Sequence, residues 1–81
     1  MEFKVEKSFR TNYEDYFAVM VGNLEVGYYV HDLKGKNFTY YHDESGNGLG
    51  VYETFSPEFK TKKELVTWLG NFLTNVEVKN G

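Results

Sequence analysis

The chain has 81 residues, 41% of them hydrophobic, with nine Lys and Arg against twelve Asp and Glu, a net charge of −3 and no cysteine. That length holds a single domain near the lower size limit for an unaided core, and the missing cysteines exclude a disulfide framework and thiolate metal sites. The longest apolar run, Phe17 to Val21, is too short to span a bilayer, and the opening Met1-Glu2-Phe3-Lys4 lacks the apolar stretch of a secretory leader, so a cytoplasmic domain over 1–81 that does not enter a membrane is expected.

Residues 2–10 set Phe3, Val5, Lys7 and Phe9 in alternation with Lys4, Glu6 and Ser8, the period of a first strand. Thr11-Asn12-Tyr13-Glu14 reads as its turn. The next segment carries a hairpin signature, because Gly22-Asn23 between Val21 and Leu24 suits a two-residue type II′ turn. Counting back from that turn pairs Val19 with Val26 and Phe17 with Tyr28 on one face. The other face then holds Met20 opposite Glu25, Ala18 opposite Gly27 and Tyr16 opposite Tyr29.

A second turn, Asp32-Leu33-Lys34-Gly35-Lys36, fits a three-residue loop with Gly35 in the left-handed conformation. It aligns Val30 with Phe38, Tyr28 with Tyr40 and Val26 with His42, and on the opposite face Tyr29 with Thr39 and Gly27 with Tyr41. Gly27 becomes a notch over which the Tyr41 ring lies. A glycine-rich loop, residues 45–50, leads to a fifth strand from Val51 to Phe55, where residues 51–59 either complete the sheet or form a lid.

The helix announces itself by a capping box, Thr61-Lys62-Lys63-Glu64. Leu65, Leu69, Phe72 and Val76 recur at helical spacing, widened by Val66, Trp68 and Leu73, which gives a stripe broad enough to cover one sheet face. Its outer side, Thr67, Gly70, Asn71, Thr74 and Asn75, is polar and uncharged. The fold expected is α+β, an antiparallel meander of four to five strands with one C-terminal helix packed on one face.

Chemistry-bearing motifs are sparse. His31-Asp32 and His42-Asp43 imitate a repeated metal pair, but the deduced register separates the two histidines by roughly 17 Å and points them to opposite sides, against ligand distances of about 2 Å. Asp43-Glu44-Ser45-Gly46-Asn47-Gly48 resembles the first half of a calcium loop, yet its twelfth position is Thr54 where a bidentate glutamate is needed. With no cysteine and no nucleophile elbow, neither enzyme activity nor a cofactor or metal is expected.

One helix leaves the second sheet face, with Tyr16, Met20, Tyr29 and Tyr41, without a cover in this chain, and Tyr suits a surface that is apolar in body and wet at the tip. Between Lys36 and Lys60 no Lys or Arg occurs, whereas Asp43, Glu44, Glu53 and Glu58 do. Tyr16, Met20, Tyr29, Tyr41, Asp43 and Glu44 are therefore the expected contacts of a larger, basic host protein. Lys60, Lys62 and Lys63 near the helix start define an alternative, anion or nucleic-acid binding, and a homodimer burying the tyrosine face is a third. In size and charge alone the chain resembles accessory proteins of phages and mobile elements, including anti-CRISPR and anti-restriction inhibitors; that likeness implies a non-catalytic inhibitor or modulator of a nucleic-acid-handling host protein.

Overall fold

Turn residues cut the alternating segments into five strands, β1 (Lys4–Arg10), β2 (Glu14–Val21), β3 (Leu24–Asp32), β4 (Phe38–His42) and β5 (Thr54–Phe55), followed by α1 (Lys62–Asn80). The computed structural model describes residues 2–80, with side chains for residues 2–76. The strands form one open antiparallel sheet in chain order, β1-β2-β3-β4-β5, and α1 lies over β4 on one face. The α+β meander with one C-terminal helix is thus the fold.

The helix begins as its sequence requires. Glu64 N–H donates to Thr61 Oγ1 at 3.1 Å, and the Thr61 hydroxyl returns a bond to Glu64 Oε1 at 3.0 Å. Leu65, Leu69 and Leu73 are buried against Val19, Tyr29 and Tyr40, and Phe3, Val5, Phe17, Phe38, Trp68 and Phe72 pack around them. Trp68 stacks on Phe72 at 4.9 Å and both approach Tyr40. Burying rings of ~150 to 250 Å² each gives so short a chain a usable core.

The strand register departs from the sequence expectation at three places. In β1, Ser8 is left out of the ladder, Lys7 pairing with Phe17 and Phe9 with Tyr16. This bulge breaks the alternation, so Phe9 turns away from the face that holds Phe3 and Val5. In β3, Met20 still pairs with Glu25, but Val26 is skipped and Val19 pairs with Gly27. From there on every side chain of β3 faces the side opposite to that expected. At the next turn Asp32 N–H donates to Asn37 O, and the loop has four residues, with Lys36 rather than Gly35 in the left-handed conformation at φ 60°. The Asp32 carboxylate takes the Lys34 N–H at 3.0 Å, and a Cβ on Gly35 would meet that carboxylate at 2.8 Å. Gly35 serves close approach, not a positive φ.

These shifts reverse the two adjacent tyrosines of β3. Tyr29 is 1% exposed in the core, stacked on Phe17, and Tyr28 takes the uncovered face. Gly27 is the reason the core can close. A Cβ there would collide with the Tyr40 phenol and the Tyr41 carbonyl; it is Tyr40, from the helix side, that lies over the notch, not Tyr41. The phenol donates to the Val26 carbonyl at 3.2 Å and sits 2.9 Å from Nδ1 of His42.

Within residues 51–59 the fifth strand is confined to Thr54 and Phe55, shorter than the expected Val51 to Phe55, and Tyr52 before it overlies the sheet. Thr54 and Phe55 pair with His42 and Tyr41, Phe38 and Phe59 exchange backbone bonds at 2.8 Å, and buried Ser56 accepts the Tyr40 N–H. Tyr52 crosses onto Tyr28. At the other end of the sheet, Arg10 grips buried Asp15 through two bonds, the second at 2.6 Å. Among the described residues no helix is long and apolar enough to cross a membrane.

Two glycine substitutions should move stability in opposite directions. Gly27→Ala is expected to cost ~1–3 kcal/mol through overpacking, whereas Gly70→Ala, mid-helix with nothing within 4 Å of the added Cβ, should gain ~0.5–1 kcal/mol. Urea unfolding measures both, and an unchanged midpoint for Gly27→Ala would contradict the close packing of Tyr40.

Candidate functional site: an aromatic ladder across the uncovered sheet face

Each strand contributes one ring to the face opposite the helix. Phe9 of β1 stacks on Tyr16 of β2 at 4.4 Å and 11°, and Tyr16 meets Tyr28 of β3 at 5.9 Å. Tyr28 stacks on Tyr41 of β4 at 5.1 Å, and Tyr41 touches Phe55 of β5 at 6.1 Å. Tyr52 stands edge-on to Tyr28 at 4.9 Å. The rings make a continuous row from one sheet edge to the other, with 54% of Phe9 and 66% of Phe55 exposed and Tyr16, Tyr28 and Tyr41 half-buried.

Carboxylates border the row. The Tyr16 hydroxyl donates to Glu14 Oε1 at 2.8 Å, a bond that raises the phenol above its ordinary range, with burial adding to it. Burial chiefly raises Tyr28 and Tyr52, and the charges that add to it are other phenols with Glu14 for Tyr28 and with Glu25 and Asp43 for Tyr52. Two hollows open on this face. One of about 270 Å³ is lined by Ser8, Phe9, Tyr16, Ala18, Glu25 and Tyr28. Another of about 170 Å³ lies among Glu14, Val30, Asp32, Asn37, Thr39, Tyr41 and Glu58.

Of the contacts expected from sequence, Tyr16, Met20 and Tyr41 are on this face. Met20 lies at its corner between Lys4 and Glu25. Tyr29 is not, because the Val26 bulge carries it into the core, where burial raises its phenol. Asp43 is 2% exposed and is spent on its own loop. Its carboxylate accepts Ser45 Oγ at 2.6 Å and Ser45, Gly50 and Val51 N–H at 3.0 to 3.2 Å. Those donors leave little for a cation in the calcium-like segment. Glu44 is exposed and receives the Thr54 hydroxyl at 2.8 Å, tying the loop to β5.

Phe9, Tyr28, Tyr52 and Phe55 were not expected at the site. A signal for one of them is present in the sequence, since the bulged alignment of β1 brings Phe9 beside Tyr16, an aromatic pair, whereas Tyr28 meets Tyr41 through the four-residue loop after Asp32 and the expected register already gave it a ring, Tyr40. Lys60, Lys62 and Lys63 are exposed around the start of α1. That helix covers the opposite face, and none of the three lysines lines either hollow of the ladder face. His31 and His42 both turn toward the helix side, contrary to the expected opposition. They remain far apart, with His31 paired to Phe38 and stacked on its ring at 4.2 Å, and His42 four residues further along β4, edge-on to Phe72. Burial lowers His42 below the ordinary imidazole range. Among the described residues no group of three or more His, Asp or Glu is placed to hold a metal ion.

Compared with protein-family models, with curated proteins and with solved structures, the chain matches none. Its site has to be read from its own geometry.

The Asp43 loop generates a pH prediction. The Ser45 hydroxyl, then the Gly50, Val51 and Ser45 amides, pull this carboxyl down to about 2 from an ordinary 3.8. A folded value below the unfolded one means that its stabilisation is complete above the unfolded value and is lost as pH falls from about 4 through about 2. Urea midpoints should fall over that window, and Asp43→Asn should make the fall shallower. An equally steep fall in the variant would contradict the role assigned to the loop.

Proposed function

We propose that the chain is a non-catalytic, stoichiometric binding module that docks through its aromatic ladder on a basic surface of a larger protein and modulates it. The observation that carries this reading is the edge-to-edge row of rings, left uncovered by the helix and bordered by Glu14 and Glu25. Rings joined into one patch supply the apolar area of an interface centre, and Tyr is favoured there because it brings large area with little rotamer entropy. Carboxylates around such a patch steer it toward cations. Proteins that hold nucleic acid present the required basic grooves, so inhibition of such a host protein, in the manner of phage and mobile-element accessory proteins, is the form of modulation we favour.

Direct nucleic-acid binding is the reading this arrangement supports less. Bases stack readily on exposed tyrosines, but phosphates next to them need cations, and Lys60, Lys62 and Lys63 lie around the start of the helix that covers the other face.

The test is retention of host proteins on the immobilised chain. Tyr28→Ala and Tyr41→Ala should each weaken retention about ten-fold or more while preserving the circular dichroism spectrum. Tyr29→Ala should instead destabilise the fold itself, by ~3–5 kcal/mol as for other large core truncations. Retention lost on nuclease treatment would transfer the function to nucleic-acid binding, and retention indifferent to both surface substitutions would remove the ladder from the interface.

A further inference from the structure

The two hollows on the ladder face differ in what they offer. The one beside Glu14 is walled mainly by polar groups, and two of its side chains, Asn37 and Glu58, already bond each other at 2.8 Å. The one beside Glu25 is walled by Phe9, Tyr16 and Tyr28, with Ala18 at its floor and Ser8 at its rim. Glu25 is exposed, and among the described residues it accepts no hydrogen bond and joins no ion pair. Ser8 owes its position there to the bulge that drops it from the β1–β2 pairing.

From this geometry we infer that the Phe9–Tyr16–Tyr28 hollow receives an arginine side chain of the partner protein, its guanidinium lying against the rings and its N–H groups reaching Glu25. The inference rests on the docking reading above and names what one part of that face recognises. Several aromatic walls with one uncommitted carboxylate is the complement of a flat, delocalised cation that stacks and donates in the same plane. An ammonium satisfies the carboxylate but has no face to lay on a ring. A phosphate or a nucleic-acid backbone is repelled by Glu25, and a bare apolar residue leaves that carboxylate facing it unpaired.

A second copy of this chain is a poor source of the guanidinium. The sequence contains one arginine, Arg10, and it is held in two bonds by Asp15 within its own sheet. The occupant must therefore come from another protein.

The experiment uses the full chain, isotopically labelled, and three peptides of the repeat Gly-X-Ser in which X is arginine, lysine or the neutral isostere citrulline. The arginine peptide should bind at least about five-fold tighter than the lysine peptide, with the largest resonance shifts on the Phe9, Tyr16 and Tyr28 rings. Phe9→Leu and Glu25→Gln, both at exposed positions, should erase that preference while leaving the dispersed spectrum of the fold. Equal binding of arginine and lysine peptides, or a preference that survives both substitutions, would overturn the assignment of this hollow. If Tyr28→Ala still weakened both peptides in that case, the docking face would stand without it. Failure of either cationic peptide to bind better than the citrulline one would overturn the docking reading as well. Ring shifts that grow with protein concentration alone, without peptide, would give the face to a second copy and likewise overturn the proposal.

Discussion

The absence of a side chain at Gly27 is the constraint from which the rest of this structure follows. Tyr40 can be fully buried only because its phenol lies where a Cβ would stand, and there it bonds the Val26 carbonyl and meets His42. That places Gly27 on the helix side. Strand alternation then sends Tyr29 inward and Tyr28 outward, and the bulge at Val26 reconciles this arrangement with the tight turn at Gly22-Asn23. A buried hydroxyl without a partner would be costly, so the Val26 carbonyl and the His42 imidazole beside the phenol fix its position as firmly as the packing does.

Much of this was legible in the residues and some of it was not. The fold class, the Gly22-Asn23 hairpin, the capping box and the apolar stripe of α1 follow from local chemistry that acts within a few residues, and each has the expected form. The register beyond Val26 did not follow, because both alignments alternate correctly: Val26, Tyr28 and Val30 form one apolar row, and Gly27 and Tyr29 belong to the other. Only a contact between strands, Tyr40 over Gly27, separates them. Alternation puts Phe9 on the wrong face for a related reason, since Ser8 gives no local mark of a bulge. The sequence marks Asp43 as a surface acid, whereas two of its donors are amides seven and eight residues further on, which no alternation pattern reveals. The uncovered aromatic face is legible in kind, through Tyr16 and Tyr41, while alternation alone gives its central ring to Tyr29 in place of Tyr28.

The two faces of the sheet use the same residue types to opposite ends. On the helix side aromatic rings meet aliphatic side chains and are shut from water, as with Tyr29 and Tyr40 between Leu65, Leu69 and Leu73. On the other side rings meet chiefly rings, and the charges near them are negative. A surface composed in this way keeps its shape through contacts among its own members, so little side-chain entropy remains to be lost when something lies down on it.

The Ser8 bulge has a further effect at the margin of the sheet. A flat outer strand is a template for unwanted strand addition and fibril growth, and proteins blunt such templates with kinks and charges. β1 carries a kink at Ser8 and charged residues at Lys4, Glu6, Lys7 and Arg10, while the opposite border is reduced to a two-residue strand. The irregularity that swings Phe9 onto the ladder also interrupts the template, so that the bulge which builds the aromatic surface blunts the edge beside it.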